Sequence, residues 1–218
     1  EIMMAYGDIK GGIRSRLPVM WTMFKGLFHI KRGYSSLKKN PYPGKTSIDA
    51  SFLGQLREYA LSLGCVHVGY TQVPRNMIFS NQKLLFDKAI VVTLEMNRDN
   101  MSKAPKGDAG KEVWRTYERL GHYVNLLADR MRKEGYAAHA GSPMGGDVNY
   151  PLLAQKAGLG HIGKHGLLIA PETGPSLRIA AVYTNVENLP CTDSDEHAWI
   201  DDFCRTCQRC VIKCPGQA

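Results

Sequence analysis

The most regular pattern of apolar and polar positions lies between residues 112 and 134. Apolar side chains recur there at steps of three and four, which predicts an amphipathic helix over Glu112–Glu134 that ends at Gly135. The apolar stripe consists of Val113, Tyr117, Leu120, Val124, Leu127 and Met131. Shorter helices are predicted over Ile48–Leu63 and Tyr150–Ala157, each followed by a glycine.

Short apolar and β-branched runs predict strands between these helices. The predicted strands are Cys65–Thr71, Ala89–Leu94, Tyr136–Ala140, Gly166–Ala170 and Leu177–Thr184. Residues 171–175 (PETGP) predict a turn that joins the last two strands. This mixed order predicts an α/β or α+β fold, with helices packed over a sheet.

The chain divides into three parts by composition. Residues 1–46 form a basic arm punctuated by glycine and proline, residues 47–188 hold the helices and strands, and residues 189–218 are first acidic and then rich in cysteine. The arm contains the longest apolar run, Leu17–Ile30, which Lys25 interrupts and which is too short to span a bilayer. Because basic residues flank this run, residues 14–32 predict either an interfacial helix at a membrane or, as the favoured interpretation, an arm that packs on the body or a partner.

Composition, charge and cysteine placement indicate which class of protein this chain belongs to. With 218 residues, 44% hydrophobic and 22% charged, the chain is typical of a soluble globular domain with a small appendage. The net charge of +8 favours acidic partners, but the basic residues form no long run, which disfavours nucleic acid. Four of the six cysteines lie within eleven residues, whereas disulfide frameworks usually spread along the chain. We therefore predict a reducing, cytoplasmic compartment, with no signal peptide visible.

The cysteine spacing carries the strongest chemical signal. The motif Cys204-x-x-Cys207-x-x-Cys210-x-x-x-Cys214-Pro215 is the bacterial-type framework for a 4Fe-4S cluster. Thiolates also bind zinc, but zinc sites usually pair two widely separated cysteine couples, so the spacing favours iron and sulfur. We predict all four as metal ligands and the segment as the start of a ferredoxin-like domain.

The ligand count of this motif is incomplete. The first three cysteines supply three ligands to one cluster, and the fourth typically binds the other cluster of a two-cluster fold. The missing ligands predict a second cysteine motif beyond Ala218, and thus a truncated chain, unless Cys65 or Cys191 substitutes.

A glycine-rich segment precedes the last two predicted strands. Residues 158–163 (GLGHIG) match the dinucleotide pattern G-x-G-x-x-G, but the predicted order is helix before and strand after, the reverse of what a Rossmann site needs. The glycines instead predict close backbone approach, to another chain segment or to a flat cofactor. The cofactor-binding candidates are Gly158, Gly160, His161, Gly163, Lys164 and His165.

The segment Leu153–Thr184, followed by the cysteine motif, resembles the corrinoid-dependent iron–sulfur reductases. Two branches are relevant, the reductive dehalogenases and the epoxyqueuosine reductases. The sequences HGLLIAPETGP and LRIAAVYTN are more similar to the first branch, and AGLGHIGK is similar to both. The resemblance covers residues 50–216 and is weak before residue 110.

The resemblance implies a nitroreductase-like core that holds cobalamin beside a domain with two 4Fe-4S clusters. It also implies a proton donor near the cofactor, for which Tyr117 and His139 are the candidates, with Tyr150 behind them. Tyr117 could instead belong to the core, and His139 could be a buried histidine with satisfied hydrogen bonds. The queuosine branch has an aspartate before the glycine turn, whereas residues 138–142 (AHAGS) contain none.

These observations predict an oxidoreductase similar to reductive dehalogenases, with a small organic substrate and a redox partner that donates electrons. The alternatives are an epoxyqueuosine reductase-like enzyme that modifies tRNA, and a non-catalytic 4Fe-4S electron-transfer protein.

Overall fold

A computed structural model describes residues 13–192, 195–214 and 216, with the side chains of residues 13–16 and 18 left out. The helices are α1 (Ile13–Ser35), α2 (Ala50–Leu63), α3 (Arg98–Ser102), α4 (Gly107–Lys133), α5 (Tyr150–Lys156), α6 (Trp199–Cys207) and α7 (Arg209–Ile212). The strands are β1 (His67–Gln72), β2 (Lys88–Glu95), β3 (Ala138–Ala140), β4 (His161–Ile162), β5 (Leu168–Ile169) and β6 (Leu177–Thr184). The predicted mixture of helices and strands is confirmed.

The main sheet has four antiparallel strands in the order β1-β2-β6-β3. Helices and loops cover both faces, which explains why β2 is an almost unbroken apolar run rather than an alternating one. Ile90 and Val92 face one apolar layer, while Ala89 and Val91 face the other, because successive strand residues point to opposite sides.

The first layer is built mainly by α4 and α2. Leu120, Val124, Leu127 and Met131 of α4 are buried there, as the apolar stripe predicts. Val113 and Tyr117 belong to the same predicted stripe but are only half-buried, because the start of the helix extends beyond the core of the sheet. Helix α2 begins at the N-cap Asp49, whose Oδ1 accepts from the Ser51 backbone N–H at 2.7 Å.

The second layer is formed by α5 and a small hairpin. Strand β5 pairs with β4 in a separate two-stranded sheet, and β6 lies in the main sheet. The predicted strand segments are therefore present, but the turn at residues 171–175 joins two sheets rather than two paired strands. Ala170 and Gly174 form only an isolated bridge across that turn.

The basic arm contains a helix of 23 residues, α1, that packs along α4. The Asn125 side chain of α4 donates to the His29 carbonyl at 2.9 Å, and Arg32 contacts Asp129 at 2.5 Å. Gly33 lies so close to the Ala140 carbonyl that a side chain there would collide with it. Across the described residues, none of the helices combines the length and apolar character needed to cross a membrane.

Candidate active site

A cavity of about 510 Å³ lies between α4, the first half of β6 and the β4–β5 hairpin. Its wall is mostly apolar, and its polar side chains are two tyrosines, a histidine, a serine and an arginine. The lining residues include Met96, Met101, Tyr117, Pro143, Tyr150, His165, Leu167, Leu177, Arg178 and Ile179. A concave apolar site with few polar groups suits a small organic ligand.

Tyr117 and Arg178 form the polar corner of this cavity. The guanidinium carbon of Arg178 lies 4.6 Å from the centre of the Tyr117 ring, in a cation–π contact. The Arg178 Nε is buried and has no hydrogen-bond partner among the described residues. Tyr117 is half-buried and lines the cavity, and its catalytic role stays a prediction.

Tyr150 lines the cavity. Its hydroxyl lies beside Gly141 and its ring beside Gly146, and a side chain at either glycine would collide with it. The hydroxyl is fully buried near Tyr183, but no described group meets hydrogen-bond geometry with it. Burial raises the pKa of Tyr150. A raised pKa makes this phenol a weaker acid than an exposed tyrosine, and its role as a proton donor stays a prediction.

His139 lies outside the cavity, in a buried polar cluster on the strand β3. Its ring centre is 5.2 Å from that of Tyr34 and 5.9 Å from that of Tyr183. Burial lowers the pKa of His139, and Nε2 has no partner among the described residues. Asp147 accepts from the Tyr34 hydroxyl at 2.9 Å in the same cluster. The structure therefore does not bring His139 together with Tyr117.

The glycine-rich segment follows α5 and leads into β4, which is the reverse of the Rossmann order. Gly158 (φ 72°) and Gly160 (φ 152°) have backbone conformations that favour glycine. A side chain at Gly160 would collide with the Ile169 carbonyl, and one at Gly163 with the Ile169 side chain. The sequence predicted that these glycines allow close approach of either another chain segment or a flat cofactor. In the structure, a chain segment approaches Gly160 and Gly163, namely strand β5 of the hairpin.

The three polar candidates of the hairpin have different surroundings. His165 lines the cavity, and its Nδ1 accepts from the Leu167 N–H at 3.1 Å. His161 lies beside Asp195, with Nε2 and Oδ2 at 3.5 Å, and its Nδ1 is 3.0 Å from the Ile162 carbonyl. Lys164 is exposed. Only His165 of the three reaches the cavity in the described part of the chain.

The cysteine motif lies on α6, on α7 and in the residues that follow α7. Cys204 is buried on α6, Cys207 ends that helix, Cys210 is on α7, and Cys214 comes after the end of α7. Gln208 has a left-handed conformation (φ 49°) and separates α6 from α7. Within residues 13–192, 195–214 and 216, the structure gathers no group of three Cys, His, Asp or Glu side chains that could hold a metal.

The donor chemistry fits the predicted cofactors in part. Cysteine thiols at this spacing are the ligands that iron–sulfur clusters use. Burial raises the pKa of the Cys65 thiol to about 12, which opposes the thiolate form that a ligand needs and makes Cys65 a poor substitute. The cavity wall fits an apolar macrocycle face, and the buried Arg178 Nε could donate to a polar group at its edge. The glycines do not form an open cradle.

Several residues of this site carry no signal in the sequence. Arg178 occupies one position of a β-branched strand, where an outward charged residue is ordinary. Met96 precedes the short helix α3 and Met101 lies within it, and no periodicity predicts this helix. These residues and Pro143 come from distant parts of the chain, so their proximity is a property of the fold.

Comparison with known proteins finds relatives of this chain among redox enzymes. No family model matches the chain. Over 59% of its length, the chain is 35% identical to a tetrachloroethene reductive dehalogenase from Desulfitobacterium hafniense, covering 23% of that protein. Over 34% of its length, it is 34% identical to an epoxyqueuosine reductase from Lactococcus garvieae, covering 22% of that protein. This chain is related to the reductive dehalogenases and the epoxyqueuosine reductases.

Solved structures of both branches share the fold. A catabolic reductive dehalogenase bound to 3-bromo-4-hydroxybenzoic acid superposes with a TM-score of 0.69 at 22% identity, over 82% of this chain and 27% of that one. An epoxyqueuosine reductase bound to a tRNA stem loop gives a TM-score of 0.57 at 18% identity, over 77% and 52%.

The predicted resemblance is confirmed, and the relatives are oxidoreductases, as predicted. The chain spans about a quarter of the length of the curated relatives that it matches. The nitroreductase-like and ferredoxin-like features, the domain limits, the roles of the site residues and the cytoplasmic location stay predictions.

Proposed function

We propose that this chain belongs to an iron–sulfur, corrinoid-dependent reductase that removes a halogen from a small organic molecule. The observation that carries the proposal is the Tyr117–Arg178 corner in an apolar cavity, in a chain whose dehalogenase similarity extends over more of its length than its epoxyqueuosine reductase similarity. A cavity with these walls suits an aromatic or alkene halide better than a polyanionic RNA loop.

The residues of the cavity have distinct proposed tasks. In reductive dehalogenation, the carbon–halogen bond breaks, two electrons and one proton enter, and halide leaves. Tyr117 is the proposed proton source, because its phenol belongs to the wall where the ligand would lie. Arg178 would bind the departing anion or an acidic substituent with its unpartnered Nε. Met96 and Met101 would exclude water.

The cysteine helix supports a redox role. Helix α6 packs against β4 of the hairpin, and the other end of that hairpin lines the cavity through His165. We propose that Cys204, Cys207, Cys210 and Cys214 hold iron–sulfur clusters and that the electrons come from a protein redox partner. A bound corrinoid would supply the reducing centre, with the hairpin and the Arg178 side of the cavity as its contacts.

The test is anaerobic reconstitution of the 218-residue chain with iron, sulfide and cobalamin, followed by reduction with a viologen. The substrate is 3-bromo-4-hydroxybenzoic acid, the ligand of the structural neighbour. Bromide release that requires cobalamin supports the proposal. Conversion of an epoxyqueuosine-containing tRNA loop without bromide release would establish the second branch instead, and cluster absorbance without cobalamin binding would indicate an electron-transfer module.

A further inference from the structure

The helix α1 carries its most apolar face outward. Its solvent-facing side holds six large apolar residues, each about half exposed or more, namely Leu17, Met20, Trp21, Phe24, Leu27 and Phe28. The buried side of the helix includes Gly26, His29 and Gly33 instead. An amphipathic helix on a globular protein normally has the opposite orientation. We call the six outward residues the α1 stripe.

The α1 stripe is too apolar to be an ordinary solvated surface. Trp21, Phe24 and Phe28 are 61–64% exposed and follow one another at helical spacing of three or four, so they form one continuous patch. Isolated exposed apolar residues are normal, whereas contiguous patches mark binding surfaces. The stripe therefore indicates that something covers this face of α1.

Charge distinguishes between the possible occupants. Residues 9–48 contain nine lysines and arginines and no aspartate or glutamate, while the whole chain has a net charge of +8. The rest of the chain therefore sums to −1, and the net positive charge of the protein is confined to the segment that contains the stripe. The body neutralises little of it: Arg32 pairs with Asp129, but Lys25, Lys31, Lys38 and Lys39 are exposed.

We propose that the α1 stripe docks in the interface of an anionic lipid bilayer, with the helix parallel to the membrane plane. Tryptophan, phenylalanine and leucine on one face, with lysines beside them, are what such helices use. Lys25 lies over the Trp21 ring at 5.7 Å, which places a cation beside the aromatic anchor at the headgroup level. A second copy of the chain is disfavoured, because pairing two α1 helices would bring two basic segments together.

Helix α1 is held on the body while it docks. The Arg32–Asp129 ion pair and the hydrogen bond from Asn125 to the His29 carbonyl do not involve the side chains of the α1 stripe. The stripe can therefore enter the lipid without unfolding the contact with α4. This inference is independent of the proposed reductase activity, and its test needs no cofactor.

The test is co-sedimentation of the 218-residue chain with phosphatidylcholine vesicles, with and without a third of phosphatidylglycerol. We expect binding to the anionic vesicles that weakens with salt, together with a blue shift of emission that the Trp21→Phe variant lacks. Phe24→Ser with Phe28→Ser should weaken binding by roughly tenfold or more, because two buried aromatic rings are lost. Lys25→Glu with Lys31→Glu should weaken it by about tenfold on anionic vesicles only.

Leu85→Ser is the matched control, because Leu85 is 67% exposed but lies outside α1. It should bind like the unaltered chain. All these positions are exposed, so circular dichroism should show folded variants. The proposal is overturned if the chain ignores anionic vesicles, if the stripe variants bind as tightly as the Leu85 control, or if α1 instead mediates a stable dimer in gel filtration.

Discussion

At the scale of single residues, the contact between Tyr117 and Arg178 is the main polar feature of the cavity. Tyr117 on α4 and Arg178 on β6 are 61 positions apart, and the fold places the guanidinium 4.6 Å from the ring centre. A guanidinium in this position can stabilise negative charge that develops on a bound ligand. The phenol hydroxyl beside it can donate a proton.

Replacing Tyr117 by Phe tests the proton-donor role directly. The variant keeps the ring that contacts Arg178 and loses only the hydroxyl, so substrate affinity should change little. We expect kcat for halide release to fall by roughly 10²–10⁴-fold, the range for loss of a general acid. Steady-state kinetics should show this as a kcat effect with KM nearly unchanged. Tyr136→Phe is the control, since Tyr136 stacks on Phe52 away from the cavity, and equal losses in both variants would contradict the role.

Gly160 tests the structural interpretation of the glycine-rich segment. Its φ of 152° and the nearby Ile169 carbonyl leave no room for a side chain. Gly160→Ala should lower the free energy of unfolding by about 1–3 kcal/mol even without any cofactor. Gly54→Ala is the matched control, because Gly54 lies inside α2 with open space around it and should gain about 0.5–1 kcal/mol. Urea unfolding would measure both, and an unaffected Gly160→Ala variant would contradict the close approach.

At the scale of elements, Glu112 fastens one wall of the cavity to α4. Its carboxylate is buried and accepts from the Asn97 N–H at 2.8 Å, the Asn100 side chain at 3.3 Å and the Arg115 guanidinium at 2.6 Å. Burial raises the pKa of Glu112, but these hydrogen bonds, led by that from Arg115, outweigh it and lower the pKa to about 2. The anchored segment carries Met96 and Met101.

Glu112→Gln should therefore loosen α3 and destabilise the fold. Removing the charge weakens several charge-assisted hydrogen bonds and leaves donors poorly paired, so we expect a loss of roughly 1.5–3 kcal/mol in urea unfolding. Glu58→Gln is the control, because Glu58 is exposed on α2 and should change stability by less than about 0.5 kcal/mol. If both variants unfold at the same urea concentration, the anchoring role is wrong.

At the scale of the whole molecule, buried histidines make stability depend on pH. Burial lowers the pKa values of His29, His67 and His139 below the ordinary 6.5. For His29, the neighbouring His122 adds to this and Glu118 opposes it. The unfolded chain therefore binds protons more readily than the folded one, so these groups contribute stability above pH 6.5 that is lost as the pH falls below it.

We expect the free energy of unfolding to be lower at pH 5.5 than at pH 7.5. His29→Gln should reduce this difference, because it removes one of the three groups. Urea titrations at the two pH values would show the effect. A stability that rises on acidification through this range would contradict the account.

Local patterns in the sequence predict most elements of this molecule but not how they assemble. Helix α4 was predictable because its stripe repeats every three or four residues, and β2 because its apolar run is unbroken. The pairing of β5 with β4 could not be predicted, because strands of only two residues carry no signal for register. Helix α1 was predicted only as an arm with a possible interfacial helix, because its apolar face points to solvent. The contact between Tyr117 and Arg178 could not be predicted either, because only the tertiary fold brings these distant residues together.

The measurement that tests the redox claim most directly is electron paramagnetic resonance of the chain after anaerobic reconstitution with iron and sulfide and reduction with dithionite. The account predicts an iron–sulfur signal that is lost in Cys204→Ser, Cys207→Ser and Cys210→Ser variants and kept in Cys65→Ser. Absence of the signal from a chain that binds zinc instead, or a signal that survives all three substitutions, would contradict it.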